Sequence, residues 1–138
     1  MIAGVADTHA VLWYVLKNPK LSRAAHQFME DAAGAGHSIV VSSISLAEIV
    51  YLTEKGRLPA SVYGDLKKAL SDPDCVIEEA PFNAEIVDAM REVPREDIPD
   101  MPDRIVAATA VYFAVPVISR DGRIRASNIR TVWEALTR

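Results

Sequence analysis

The feature that most constrains this chain is an alternation. Short apolar runs of strand length recur between longer segments with helical spacing. Ile2–Ala6 is apolar and stops at Asp7; Ser38–Ser42 (S-I-V-V-S) repeats the pattern, and so do residues 115–119, two residues before Asp121. Continuous apolar runs of this length suit strands buried on both faces. Between them, residues 10–16 form an apolar turn of helix halted by Asn18-Pro19. Ser22 caps a helix whose Ala25, Phe28, Met29 and Ala32 share one face and which ends at Gly34 and Gly36. Ser45 is expected to cap the next helix, which carries Leu46, Ile49, Val50 and Leu52 toward Gly56. Residues 60–71, 83–92 and the almost wholly apolar 104–114 complete the helical set. Cys75-Val76-Ile77 reads as a third strand and residues 131–133 as a last short one. Strands alternating with helices predict a three-layer α/β/α fold with a central, mostly parallel sheet and right-handed crossovers.

At 138 residues, half of them hydrophobic and a quarter charged, the chain is expected to form one domain over residues 1–138. Disorder, collagen-like repeats and coiled coil do not fit such a composition. Cys75 stands alone, so no internal disulfide and no zinc-ligand spacing is available, and a reducing, cytoplasmic location is expected. Asp7 and His9 interrupt the first apolar run too early for a signal peptide. The apolar stretch 105–118 is broken by Thr109 and Pro116 and is too short to span a bilayer. The net charge of −4 does not advertise nucleic-acid binding. Its distribution is uneven, however: Arg120, Arg123, Arg125, Arg130 and Arg138 face only Asp121 and Glu134 in the last twenty residues.

Four acids stand at informative places. Asp7 and Asp121 follow strands, and Glu48 and Asp103 fall in the first turns of predicted helices entered from the same edge of the sheet. Ligands of open parallel sheets bind at the carboxyl ends of strands, so the four can converge on one rim. Each has a plain reading when taken alone. Asp7 and Asp103 suit helix caps, Glu48 closes a capping box with Ser45, and Asp121-Gly122 is a turn. Together they repel one another unless a cation lies among them. Hard divalent ions take oxygen ligands, lower the pKa of a bound water and neutralise a phosphodiester. Such chemistry needs no nucleophilic side chain, and none is evident: G-x-S-x-G does not occur and Cys75 has no histidine partner in sequence.

Four blocks carry a resemblance. They are V-A-D-T-H-A-V-L-W at residues 5–13, S-S-I-S-L-A-E-I at 42–49, D-M-P-D-R-I-V-A-A-T-A at 100–110 and V-I-S-R-D at 117–121. In this order they resemble PIN-domain proteins, most of all the VapC toxins of toxin–antitoxin pairs, with similarity running over about residues 2–133. The resemblance implies that Asp7, Glu48, Asp103 and Asp121 bind Mg²⁺ or Mn²⁺ and cleave RNA. It also implies a cognate antitoxin partner, promoter DNA reached only through that antitoxin, and a homodimer. Relatives often carry H-x-D-P-F-D-R in the third block. Here it is Ile98-Pro99-Asp100-Met101-Pro102-Asp103-Arg104, which leaves Asp100 either a further metal ligand or a contributor to the negative field.

The flanking residues divide between roles. Thr8 and Ser119 bond metal-bound waters or substrate phosphate, or else are turn and cap residues; Ser43 has a weaker form of the same choice. His9, Trp13 and Tyr14 are read as structural, and His26 and His37 as isolated surface or structural residues. Arg120, Arg123 and Arg125 are expected to form a phosphate-binding rim. A basic tail of the antitoxin would compete with metal for the acids. Trp13, Ile49 and Leu52 are candidates to line its groove or to be plain core. The alternatives are a PIN nuclease of RNA processing with no antitoxin, and a catalytically inert interaction module. Other α/β classes fit less well. A receiver module lacks the acid pair and the lysine it would need, a D-x-D-x-T phosphatase would need an acid where His9 stands, and Gly34-Ala35-Gly36 precedes a strand instead of following one.

Overall fold

The computed structural model describes residues 1–134. Arg138, counted above in the basic segment, and the last four positions of the expected domain lie outside the described residues. The elements run β1 Ile2–Ala6, α1 Thr8–Val15, α2 Arg23–Gly34, β2 Ser38–Ser42, α3 Ser43–Glu54, α4 Val62–Ser71, β3 Ile77–Ala80, α5 Ala84–Met90, α6 Met101–Phe113, β4 Val117–Ile118, α7 Gly122–Ala126 and β5 Thr131–Val132. The five strands form one sheet in the order β3-β2-β1-β4-β5, and every pairing is parallel.

Helices cover both faces, and the alternation of side chains along each strand divides the core in two. Ala6, Ile39, Val41, Ile77 and Ile118 point into a cluster with Val11, Leu12, Met29, Ile49 and Leu66 from α1 to α4. Val5, Val40, Ala80 and Val117 point to the opposite face, against Ile86, Ile105, Ala108 and Ile124 from α5, α6 and α7. This is the period-two burial that a sheet sandwiched between helices requires. At Gly4 the layers approach closely. A Cβ there would lie 3.1 Å from Cε2 of Phe28 and 3.3 Å from the Pro116 carbonyl oxygen, so a larger residue would have to push α2 or the turn into β4 back by a few tenths of an ångström.

Several local expectations are corrected. Ser42, not Ser45, caps α3, its side chain accepting from the Ile44 N–H at 3.1 Å; the helix starts earlier and Glu48 falls in its second turn. No capping box forms between Ser45 and Glu48. The third strand begins at Ile77 because Cys75 is still closing a turn, its N–H bonded to the Asp72 carbonyl at 3.0 Å. The helix expected from residue 104 begins at Met101, capped by Asp100, and the strand expected from residue 115 pairs only over Val117–Ile118. The intervening residues end α6: Ala114 turns left-handed at φ 57°, and the Val115 N–H bonds the Ala110 carbonyl at 3.0 Å. Beyond Asp121 the chain forms the short helix α7 instead of a simple turn. Ile49, a candidate for a partner groove, is fully buried and belongs to the core.

Candidate functional site

In this strand order the chain leaves β1 toward β2 on one side and returns to β4 on the other, so the crevice beyond the ends of β1 and β4 is the topological switch point. The acids gather there. Asp7 follows β1 and caps α1, its Oδ1 accepting from the Ala10 N–H at 2.9 Å. Asp121 follows β4 and caps α7, its Oδ1 accepting from the N–H groups of Arg123 and Ile124 at 2.9 and 3.0 Å. Asp100 caps α6, its Oδ1 accepting from the Asp103 N–H at 3.0 Å, which sets Asp103 in the first turn. The plain capping reading of Asp7 is therefore correct, that of Asp103 gives way to Asp100, and Asp121 caps a helix where a turn was expected, yet capping does not exhaust these residues. Each cap recorded here uses a single carboxylate oxygen and leaves the other without a capping bond.

Asp7, Glu48, Asp100, Asp103 and Asp121 line one hollow of about 330 Å³, together with Thr8, His9, Trp13 and Arg120. Their mutual field is visible in the ionisation of the group between them. Asp103 is pushed up to about 7, first by burial, then by the charges of Asp121, Asp100, Asp7 and Glu48. Asp7 is raised as well. Its burial outweighs the stabilising Ser119 hydroxyl, the Ala10 N–H and His9, and Asp121 adds repulsion. Ser119 is completely buried and binds this rim together, because its oxygen also accepts the Asp121 N–H at 2.9 Å. Thr8 is buried and bonds Glu48, while its oxygen lies 2.9 Å from that of Ser45. A hydroxyl has one proton and a carboxylate only accepts, so Thr8 donates to Glu48 and Ser45 donates to Thr8.

The arginines are not equivalent. Arg120 lines the acid hollow, with its guanidinium carbon 4.7 Å above the Trp13 ring. Arg123 faces a neighbouring depression beside Asp97, and Arg125 is exposed on α7 without joining either lining. Ser43 turns away from the hollow to Glu79 and Ala80, toward the β3 edge of the sheet. Arg104 is a structural fastener: its guanidinium donates to the carbonyls of Val93 and Met90, both at 2.9 Å, and so ties the end of α5 to the start of α6. Two lining residues, His9 and Trp13, are among those the sequence assigns to structural roles. Their i,i+4 spacing on α1, beginning two residues after Asp7, was the signal that both sit on the face turned to the acids.

As placed, no three His, Cys, Asp or Glu side chains among the described residues converge closely enough to share an ion. Glu48 is held by the Thr8 hydroxyl. The donor set still fits a hard divalent cation: it is all oxygen, strongly negative, and arranged around a hollow in which only positive charge relieves the repulsion.

No curated protein matches the chain in sequence. Among solved structures, it is similar to VapBC2 from Rickettsia felis bound to a DNA fragment from their promoter, at 21% identity and a TM-score of 0.70, covering 97% of this chain and 100% of that one. It is similar to a toxin–antitoxin complex from Klebsiella pneumoniae at 17% identity and TM-score 0.63, with 94% and 96% of the two chains covered. FitAcB from Neisseria gonorrhoeae aligns at 21% identity and TM-score 0.59, covering 95% and 96%. At these identities the likeness speaks for the fold. The family model of the PIN domain matches residues 5–128, nearly the whole chain, and on that match this chain belongs to the PIN domain family.

Proposed function

We propose that this chain is an Mg²⁺- or Mn²⁺-dependent endoribonuclease that acts as the VapC-type toxin of a toxin–antitoxin pair. The observation that carries the reading is the gathering of Asp7, Glu48, Asp103 and Asp121 around one hollow at the switch point of the sheet. These four would hold the ion, with Asp100 beside them as a further ligand or a source of negative field. A bound divalent ion there lowers the pKa of a water and neutralises a phosphodiester. The protein's own contribution is placement. Helix caps fix Asp7 and Asp121, the Ser119 hydroxyl joins them, and Thr8 with Ser45 orients Glu48. Thr8 and Ser119 act on the acids more than on substrate. Arg120 reaches the phosphate at the hollow itself, and Arg123 and Arg125 extend a basic margin along the RNA.

End-mapping of cellular RNA after induced expression, wild type against Asp7→Asn, tests this reading. New 5′ ends only with wild type, lost in excess EDTA in vitro, are expected; undiminished cleavage in EDTA overturns it.

The partner is inferred from the neighbours, which include toxin–antitoxin complexes, one of them on promoter DNA. A cognate antitoxin would place a lysine or arginine of its tail toward the acids, in competition with metal, and would carry the promoter-DNA contact. Its apolar anchors would use the hollow of about 720 Å³ behind Trp13, lined by Tyr14, Val15, Leu21 and Ala69. The single domain, a homodimer and a cytoplasmic location belong to the same reading, and no helix among the described residues is long and apolar enough to cross a membrane. Co-expression with the neighbouring small reading frame and co-purification is the check. A protein that cleaves RNA but captures no such partner is a processing nuclease, and one that does neither is an interaction module.

A further inference from the structure

Arg120 stands at the rim of a hollow lined by five carboxylates, and Asp121 follows it directly in the chain. Simple electrostatics would fold its guanidinium down onto one of them, since the planar fork binds carboxylates bidentately. It does not. Among the described residues the recorded ion pair is between His26 and Glu30, and Arg120 is paired with none of the acids. Its recorded partner is the Trp13 indole, 4.7 Å from the guanidinium carbon. Trp13 is in turn immobilised from two sides, by His9 at a centroid distance of 5.5 Å and by Trp133 at 5.9 Å, and is only 8% exposed. A buried, doubly packed ring is a fixed shelf, and a stacked guanidinium keeps its in-plane N–H groups free for other acceptors.

We propose that Trp13 is a positioning residue for cleavage of single-stranded RNA: its indole holds the Arg120 guanidinium over the mouth of the acid hollow, where it meets a phosphate of the strand, and keeps it from closing onto the carboxylates. The inference rests on the nuclease reading above and adds to it that a core-like tryptophan, and not the arginine alone, sets the grip on substrate. It explains why an arginine can sit beside metal-binding acids without taking the metal's place.

The test is a double-mutant cycle in Trp13→Leu, Arg120→Gln and the double variant. Binding of a fluorescent single-stranded RNA is measured on an Asp7→Asn background over a range of salt, and kcat and KM on the otherwise native chain. Trp13→Phe, which keeps an aromatic face, serves as the conservative rescue, and thermal unfolding identifies any variant that fails to fold. Trp13→Leu is expected to weaken RNA binding about two- to fivefold, the size of an exposed cation–π contact, and to flatten the salt dependence as Arg120→Gln does. In the Arg120→Gln background Trp13→Leu should cost nothing further, and Trp13→Phe should recover most of the loss. Additive losses in the double variant, an unchanged salt slope for Trp13→Leu, or failure of a folded Trp13→Phe to recover binding overturns the proposal and leaves the nuclease reading standing. A wild-type protein that neither binds nor cleaves RNA with Mg²⁺ or Mn²⁺ overturns both.

Discussion

Trp13 is the common wall of two hollows that differ in almost every physical respect. The larger, about 720 Å³ and bounded by α1 and α2, is mainly apolar, and two of its polar groups share one carboxylate. The Tyr14 hydroxyl donates to Glu30 at 2.9 Å, and His26 lies 3.9 Å from the same carboxylate. Burial and that carboxylate push the Tyr14 phenol far up, so it stays neutral. The smaller, about 330 Å³, gathers five acids whose charges are left to repel. Size does not mark the chemistry; uncompensated charge does, because evolution keeps an arrangement that costs stability only where something else repays it. The larger hollow is a surface to be covered, the smaller a field to be neutralised.

That contrast breaks most directly at its acids. Asp7→Asn should reduce cleavage roughly 100-fold or more, since loss of a direct ligand costs at least as much as loss of a group behind one. Asparagine retains the cap on α1, so the metal-free variant should unfold at the same temperature as wild type or higher. A drop of several degrees would mean that the acids support the fold and that the two hollows are alike. Leu21→Ala, on the wall of the larger hollow and 8% exposed, should do the reverse. We expect about 2–3 kcal/mol less stability in urea unfolding, as for a partly collapsible core site, with the activity of the folded fraction unchanged.

The third prediction concerns pH. In the unfolded chain Asp103 releases its proton near 3.8, whereas in the fold it holds it to about 7. Between those values the folded state binds more protons. The contribution of Asp103 to the stability of the metal-free protein is therefore full below about pH 4 and is lost as pH rises through about 7. Melting temperatures in EDTA should fall across that window, and Asp103→Asn should flatten the fall; an equal slope in the variant would locate the effect elsewhere. The smallest effect belongs to neither hollow. Ala114 caps α6 at φ 57°, a conformation in which glycine has no Cβ to strain. Ala114→Gly should stabilise the protein by about 0.5–1 kcal/mol in the same unfolding assay and leave cleavage untouched.

The division of the sheet was legible in the sequence because Ile2–Ala6 and Ser38–Ser42 are apolar on both faces and end on polar residues. β3 was harder: an edge strand exposes Glu78 and Glu79, so its two outward acids hide the pattern, while the buried Val76 just before it imitates a strand. The start of α3 lay in a run with three serines, any of which can cap; in the fold Ser42 takes the cap while Ser45 bonds Thr8. The placement of Asp7, Asp103 and Asp121 around one hollow followed from strand ends and helix starts, whereas Glu48 joins them from the second turn of α3 and not from its first. Asp100 as the cap of α6 is a local feature of Asp100-Met101-Pro102-Asp103 that the later helix start hid, whereas Trp13 as a wall of the hollow depended on how α1 rotates about its axis, which contacts across the fold determine.

The strand order has a consequence for the order of events in synthesis. Asp7 and Glu48 emerge with the first strands, but Asp103 and Asp121 come from the far side of the sheet, where β4 pairs with β1 over Val5–Val117 and Ala6–Ile118. A nascent chain that has folded β1, β2 and β3 already has a helix-covered half-sheet with an open edge and only two of the four acids. The acid rim stays incomplete until the last part of the chain is translated and pairs beside β1. The complete set of rim acids therefore first exists when β4 has docked beside β1.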